Sequence, residues 1–188
     1  MSIEANPYLP PATPVADIPA AAAAQAPTFA VSIPKFVVMS FVTGGIYQFY
    51  WFYRHWQAVR RRTGGSIQPF WRAAFSLFWC YALLLDIDGE ARRHGVQRSI
   101  AVGNLTAGWV ILNMLSRLPD PWWLVSLLSF LFLVPVQRAA NDLNAKLAPE
   151  ADRNSRFTWA NWLWLAVMSL FWALVLIALM LPPEALAS

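Results

Sequence analysis

The chain has 188 residues, of which 58% are apolar and only 13% charged, with a formal net charge of +4. Soluble proteins of ordinary composition are about 45–50% apolar and about 25% charged, and a chain this short has too little interior to hide the excess. The composition therefore predicts apolar side chains that face lipid and excludes a soluble domain. It also excludes a nucleic-acid-binding module, which needs a folded soluble scaffold for its cations.

Residues 1–33 read as a disordered tail. The run Asn6-Pro7-Tyr8-Leu9-Pro10-Pro11, the alanines Ala20 to Ala24 and then Ala26-Pro27 offer little to pack, and the prolines interrupt helix and sheet alike. No Lys or Arg precedes Lys35, so the stretch lacks the basic start of a secretory signal.

Five apolar segments follow over 34–182, the predicted membrane domain, with a short C-terminal tail over 183–188. A helix needs roughly 20 residues to cross the hydrocarbon. The first segment is Phe36–Tyr53, with Gly44-Gly45 at its middle, where paired glycines allow a kink or a close helix approach. Beyond it Phe52, Trp56 and Val59 recur at i, i+4, i+7 among Arg54, Arg60, Arg61 and Arg62, the pattern of a helix lying in the membrane interface. Thr63-Gly64-Gly65-Ser66 ends that helix. The second segment runs from Pro69 to Ile87, with Arg72 one turn in and Asp86, Asp88 and Glu90 at its far end.

The third segment, Val102–Leu118, carries Asn104, Asn113 and Arg117 and a Gly103-x-x-x-Ala107 pair suited to close helix contact. Pro119-Asp120-Pro121 turns it into the fourth, Pro121–Val136, and the two are predicted to form an antiparallel hairpin. The helix of the fourth is expected to continue past Pro135 to Leu147 as a polar extension. The fifth, Phe157–Leu181, is the longest, and Pro182-Pro183 stops it. Tryptophans cluster near the segment ends, where an indole meets both hydrocarbon and headgroups.

These segments predict an all-α polytopic membrane bundle of four or five transmembrane helices. With five crossings the Lys and Arg divide six against eight between the two sides, so the rule that basic loops stay cytoplasmic does not decide the orientation. The flanks of the first segment favour an outside tail with the Arg cluster and the C-terminus in the cytoplasm. The alternative is a first segment that bends at Gly44-Gly45 and returns, which leaves four crossings and both termini inside. Backbone freed by such a bend must be buried in protein.

The stretch Thr43-Gly44-Gly45-Ile46-Tyr47-Gln48-Phe49-Tyr50-Trp51-Phe52-Tyr53-Arg54-His55-Trp56 resembles a motif of small bacterial membrane proteins grouped as domain of unknown function 4234. In those proteins a Thr-x-Gly-Ile/Leu-Tyr element leads into Tyr-Trp-x-Tyr and a basic end. The likeness covers about the first quarter of the membrane portion. It implies a bacterial inner-membrane protein and brings no activity, ligand or catalytic residue.

Few polar residues offer chemistry. Gln137, Asn141 and Asn144 share one helical face at i, i+4, i+7, where amides can crosslink helices or meet a headgroup or polar solute. Arg138, Asp142 and Lys146 form a second ladder, of the kind that supports an exposed helix. Asp86, Asp88 and Glu90 could attract a divalent cation, but Arg92 and Arg93 stand beside them and no metal-loop spacing follows. His55 and His94 read as isolated interfacial histidines. Asn104 and Asn113 read as glue between helices or as the lining of a solute path. The one cysteine, Cys80, excludes an internal disulfide and a cysteine-based zinc site.

No nucleophile–base pair or paired carboxylates appear, so no catalytic residue, metal or cofactor is expected. The predicted partners are a bilayer with anionic headgroups, held by Arg54, Trp56, Arg60, Arg61 and Arg62, and another membrane protein or a second copy. The competing reading is a small transporter or channel, with the glycines and amides lining its path.

Overall fold

A computed structural model describes residues 25–98 and 100–180. The expectations for residues 1–24 and 181–188 fall outside it. The described residues are helical, with no strand among them. In chain order the helices are α1 (Ile33–Val42), α2 (Ile46–Thr63), α3 (Pro69–Ala74), α4 (Ser76–Arg93) and α5 (Val102–Met114). A 3-10 turn (Leu115–Arg117) and a 3-10 helix (Trp122–Leu133) lead into α6 (Val134–Leu147), and α7 is Trp159–Met180.

The first apolar segment is not one continuous helix. It reverses direction at Thr43-Gly44-Gly45, so α1 and α2 form an antiparallel helical hairpin. Phe36 of α1 lies 6.3 Å from Tyr47 and 5.8 Å from Trp51 of α2. Earlier in the chain, Phe29 sits 5.7 Å from Tyr50 and 5.8 Å from His55. The turn requires its residues. Gly44 and Gly45 adopt φ of +60° and +93°, a region that side chains with a Cβ avoid. A Cβ on Gly44 would come within 3.0 Å of the Trp172 indole. Thr43 Oγ1 donates to the Met39 carbonyl at 2.7 Å and accepts from the Tyr47 amide at 2.9 Å, which stitches the two helices across the break. Trp172 Nε1 donates to the Val42 carbonyl at 2.7 Å. The carbonyls freed by the reversal are thus taken up by protein groups, as a buried turn demands.

After Gly64 the chain doubles back. Phe70 of α3 packs on Phe49 of α2 at 5.8 Å, and α4 then runs alongside α2 in the same sense. Trp79 reaches Trp56 at 6.4 Å, and Asp86 pairs with Arg62 at 2.5 Å. The second predicted segment is accordingly divided at Phe75 into α3 and α4. The Arg72 guanidinium sits over the Trp56 and Trp79 rings, at 4.4 and 4.3 Å from their centroids.

The third and fourth segments form the expected hairpin, and the helix continues past Pro135 to Leu147 as the sequence suggested. Gly108 permits their approach: a Cβ there would overlap the Phe132 ring. The predicted Gly103/Ala107 contact is not made, because both residues are exposed. The core lies where α2, α4 and α6 meet, with Trp51, Phe52, Leu83, Leu84, Ile87 and Leu133 wholly buried. The face Phe52, Trp56, Val59 therefore turns into protein, not outward, while Arg60 and Arg61 are exposed and Arg62 is half-buried.

Among the described residues two helices are long and apolar enough to cross a membrane, Trp122–Leu147 and Trp159–Met180.

Candidate functional site

The face Gln137, Asn141, Asn144 meets a partner that the sequence concealed. Residues 27–31 run as an irregular strap along α6, and four side-chain amides hold four consecutive strap carbonyls. Asn144 Nδ2 donates to the Thr28 carbonyl at 3.3 Å and Gln137 Nε2 to that of Phe29 at 3.1 Å. Asn154 Nδ2 donates to the Ala30 carbonyl at 3.2 Å and Asn141 Nδ2 to that of Val31 at 2.9 Å. Arg62 Nη1 takes the Pro27 carbonyl at 3.3 Å. On the donor side, the Thr28 amide and hydroxyl both reach Asn144 Oδ1, at 3.1 and 2.7 Å. The strap lies outside any helix and makes no backbone–backbone hydrogen bond among the described residues, so its buried groups need partners from elsewhere. Three amides at helical spacing supply them because their face points along the strap.

Thr28, Phe29 and Val31 are buried. The predicted disordered tail thus extends too far: its described end, from about residue 27, is a fixed part of the core. Pro27 and Ala30 gave the stretch the composition of a tail, yet its carbonyls and the buried Thr28, Phe29 and Val31 side chains attach it to the core.

Gln137 is the hub. It is fully buried and uses its whole hydrogen-bonding capacity. Its Oε1 accepts from Trp51 Nε1 at 2.6 Å and from His55 Nε2 at 3.1 Å, and its Nε2 also donates to Asn141 Oδ1 at 2.8 Å. An oxygen that faces two donors fixes the amide orientation and requires the proton of neutral His55 on Nε2. His55 lies on α2 two turns before Arg62, at the helix end that carries the arginines. Burial pushes its pKa down to about 4, so the ring is neutral at pH 7. The isolated interfacial histidine of the sequence reading is in fact a core donor.

A smaller polar centre sits above this one. Gln48 accepts from Trp109 Nε1 at 2.7 Å and donates to Ser129 Oγ at 3.1 Å, tying α2 to α5 and to the 3-10 helix. Asn104 and Asn113 join neither centre. Asn104 is exposed, and Asn113 Nδ2 bonds the Trp109 carbonyl of its own helix at 2.8 Å. Gly44 and Gly45 serve the hairpin turn described above.

The charged residues gather at the end of the bundle that holds the strap. Arg62 bridges Asp86 at 2.5 Å and Glu90 at 3.4 Å. Arg92 pairs with Asp88 at 2.7 Å, Arg93 with Glu90, and Arg98 with Asp142 at 2.7 Å. Lys35 donates to Asn154 Oδ1 and to the Arg156 carbonyl, both at 2.8 Å. Arg60 and Arg61 lie at the adjoining end of α2. Asp86, Asp88 and Glu90 are therefore engaged with arginines, and no cluster of three metal-binding side chains occurs among the described residues.

The chain matches no protein-family model, no curated protein and no solved structure.

Proposed function

We propose that the chain is a multi-pass protein of a bacterial inner membrane, non-enzymatic, that works through association with lipid or with another membrane protein. The observation that carries the reading is α7. Its apolar window is only 6% buried, and Leu163, Val167, Leu170, Phe171, Leu174 and Ile177 are all more than half exposed or close to it. A helix apolar on every side is at home in hydrocarbon and not in water. The Thr43–Trp56 resemblance supports the same setting.

The hairpin turn also changes how charge sorts. With α1 and α2 forming a hairpin, Lys35, Arg54, Arg61, Arg62, Arg92, Arg93, Arg98 and Lys146 gather at the end that carries the strap. In this reading that end faces the cytoplasm, by the preference of basic segments for that side. The α5 turn with Arg117 and the end of α7 face out. α5, the Trp122–Leu147 helix and α7 cross the bilayer, and the α1–α2 hairpin enters from the cytoplasmic side and returns. The transport alternative draws little from the amides, because Gln137, Asn141 and Asn144 are committed to the strap.

Single cysteines in a Cys80→Ser background test the arrangement. Arg61→Cys, Gln97→Cys and Ser155→Cys are expected to label from one side of sealed vesicles and Ser116→Cys from the other. Five uninterrupted crossings would instead place 61 with 116, and 97 with 155. Release of the chain from vesicles by alkaline carbonate would end the membrane reading altogether.

A further inference from the structure

A groove of about 440 Å³ lies between the α1–α2 hairpin and the first half of α7. That volume falls in the range of ligand sites, about 300–1,000 Å³. One end is polar, with Lys35, Tyr47 and Asn154 on its walls, and the other is apolar, with Met39, Ile46 and Trp164. Two polar groups on these walls have capacity to spare. The Tyr47 hydroxyl is buried and has no hydrogen-bond partner among the described residues. The Lys35 ammonium, on a side chain only 3% exposed, has given two of its three protons to Asn154 and Arg156. A buried hydroxyl without a partner and a buried cation with a free donor both favour an acceptor, preferably an anionic one.

A second groove of about 490 Å³ adjoins the first and shares Tyr50 and Asn154 with it. It brings Arg54 and Arg61 to the polar end. Arg54 Nη1 donates to the Tyr50 hydroxyl at 3.0 Å, and its guanidinium lies 5.1 Å from the Phe29 ring centroid. The one carboxylate on these walls is that of Asp152, exposed at the rim, against the cations of Lys35, Arg54 and Arg61. The polar end of the pair therefore carries net positive charge, and it lies at the charged end of the bundle. The apolar end runs up beside α7.

We propose that the paired groove seats one anionic phospholipid, its phosphate against Lys35, Tyr47, Arg54 and Arg61 and one acyl chain along Met39, Ile46 and Trp164. The assignment rests on the membrane reading above, which sets the polar end at headgroup depth and the apolar end in hydrocarbon. It gives the exposed α7 face beside the hairpin an occupant.

The test uses the full chain purified in a neutral detergent and exposed to equal amounts of phosphatidylglycerol and phosphatidylcholine with identical acyl chains, read by native mass spectrometry. A single phosphatidylglycerol is expected to be retained about tenfold over phosphatidylcholine. The R54Q/R61Q variant is expected to bring the ratio close to parity, whereas R98Q, which alters a remote ion pair, leaves it unchanged. A160F narrows the groove and is expected to lower retention of both lipids. Unaltered helical circular dichroism shows that each variant has folded. Parity in the unmodified chain, or a preference that survives R54Q/R61Q, would overturn the proposal. Displacement of the lipid by millimolar glycerol phosphate alone would also overturn it, in favour of a soluble anion. A chain that resists carbonate extraction yet shows parity loses the lipid site and keeps its membrane setting.

Discussion

Two helices of this chain pass the same test of length and apolarity and live in different surroundings. In the helix Trp122–Leu147, 44% of the apolar window is buried inside the protein; in α7 the figure is 6%. Length and apolarity are properties of the segment, whereas burial depends on what the remainder of the chain lays against it. The first helix ends in a face of amides that receives the strap, packs on α4 and touches the hairpin. α7 meets the rest through few side chains: Met168 is buried, Leu165 packs on the core, and Trp172 bonds the Val42 carbonyl and stacks on Trp123 at 6.0 Å. The contrast separates a helix that organises the fold from one whose main contact is the solvent around it.

That contrast can be broken from either side. The largest effect is expected from Gln137→Leu, which orphans Trp51 Nε1, His55 Nε2 and the Phe29 carbonyl at once. At about 1–3 kcal/mol for each buried group left unsatisfied, the variant should lose several kcal/mol of stability in detergent and expose the strap to limited proteolysis. A melting temperature within a degree or two of the parent would show that the hub is dispensable. On α7, Leu174→Arg should cost about 2.5–3.5 kcal/mol in membrane insertion while leaving the Gln137 network intact. An insertion assay reads the first effect and near-ultraviolet circular dichroism the second; equal insertion of the two forms would mean that α7 does not lie in hydrocarbon.

Gly44→Ala probes the contact between hairpin and α7. It places a Cβ at φ +60° and 3.0 Å from Trp172, so a loss of about 1–2 kcal/mol is expected, with a shift of Trp fluorescence as Trp172 moves. Acidification should act on the strap end alone. The pKa of His55 in the folded chain lies below its ordinary value of about 6.5, so the unfolded state binds the proton first. The His55 contribution is therefore complete above about pH 6.5 and falls as the pH drops toward about 4, at no more than about 1.4 kcal/mol per pH unit. Thermal melts between pH 7 and 5, compared with His55→Gln, isolate it; the same slope in both chains would assign the loss to other groups. The smallest effect is expected from Asp142→Asn. Its pair with Arg98 is half-exposed on both sides, so stability should change by less than about 0.5 kcal/mol.

Much of the local structure was legible in residue order. Pro34 and Pro69 stand in the first turns of α1 and α3, Gly64 closes α2 in the left-handed region, and Pro119-Asp120-Pro121 turns the chain between α5 and the 3-10 helix. The amide face on α6 was visible from its spacing of i, i+4, i+7. Its partner was not, because a short strap held through its carbonyls and three buried side chains has no periodic pattern to read. Asn154 was missed for a similar reason: it works alone, from a loop, where periodicity says nothing. His55 was misread because it stands in sequence between Arg54 and the Arg60–Arg62 cluster, while in space it faces Trp51, Phe29 and Gln137.

By itself the sequence determined that the chain is helical and where its apolar stretches lie, since backbone propensity, proline and glycine positions and hydrophobic runs act over a few residues. Only the tertiary structure decided that Gly44-Gly45 reverses the chain, that the amides face a strap, and that many of the basic residues collect beside that strap. Those outcomes depend on pairs such as Thr28 with Asn144 and Arg62 with Asp86, far apart in sequence, and no local pattern encodes which distant partner will satisfy a buried polar group.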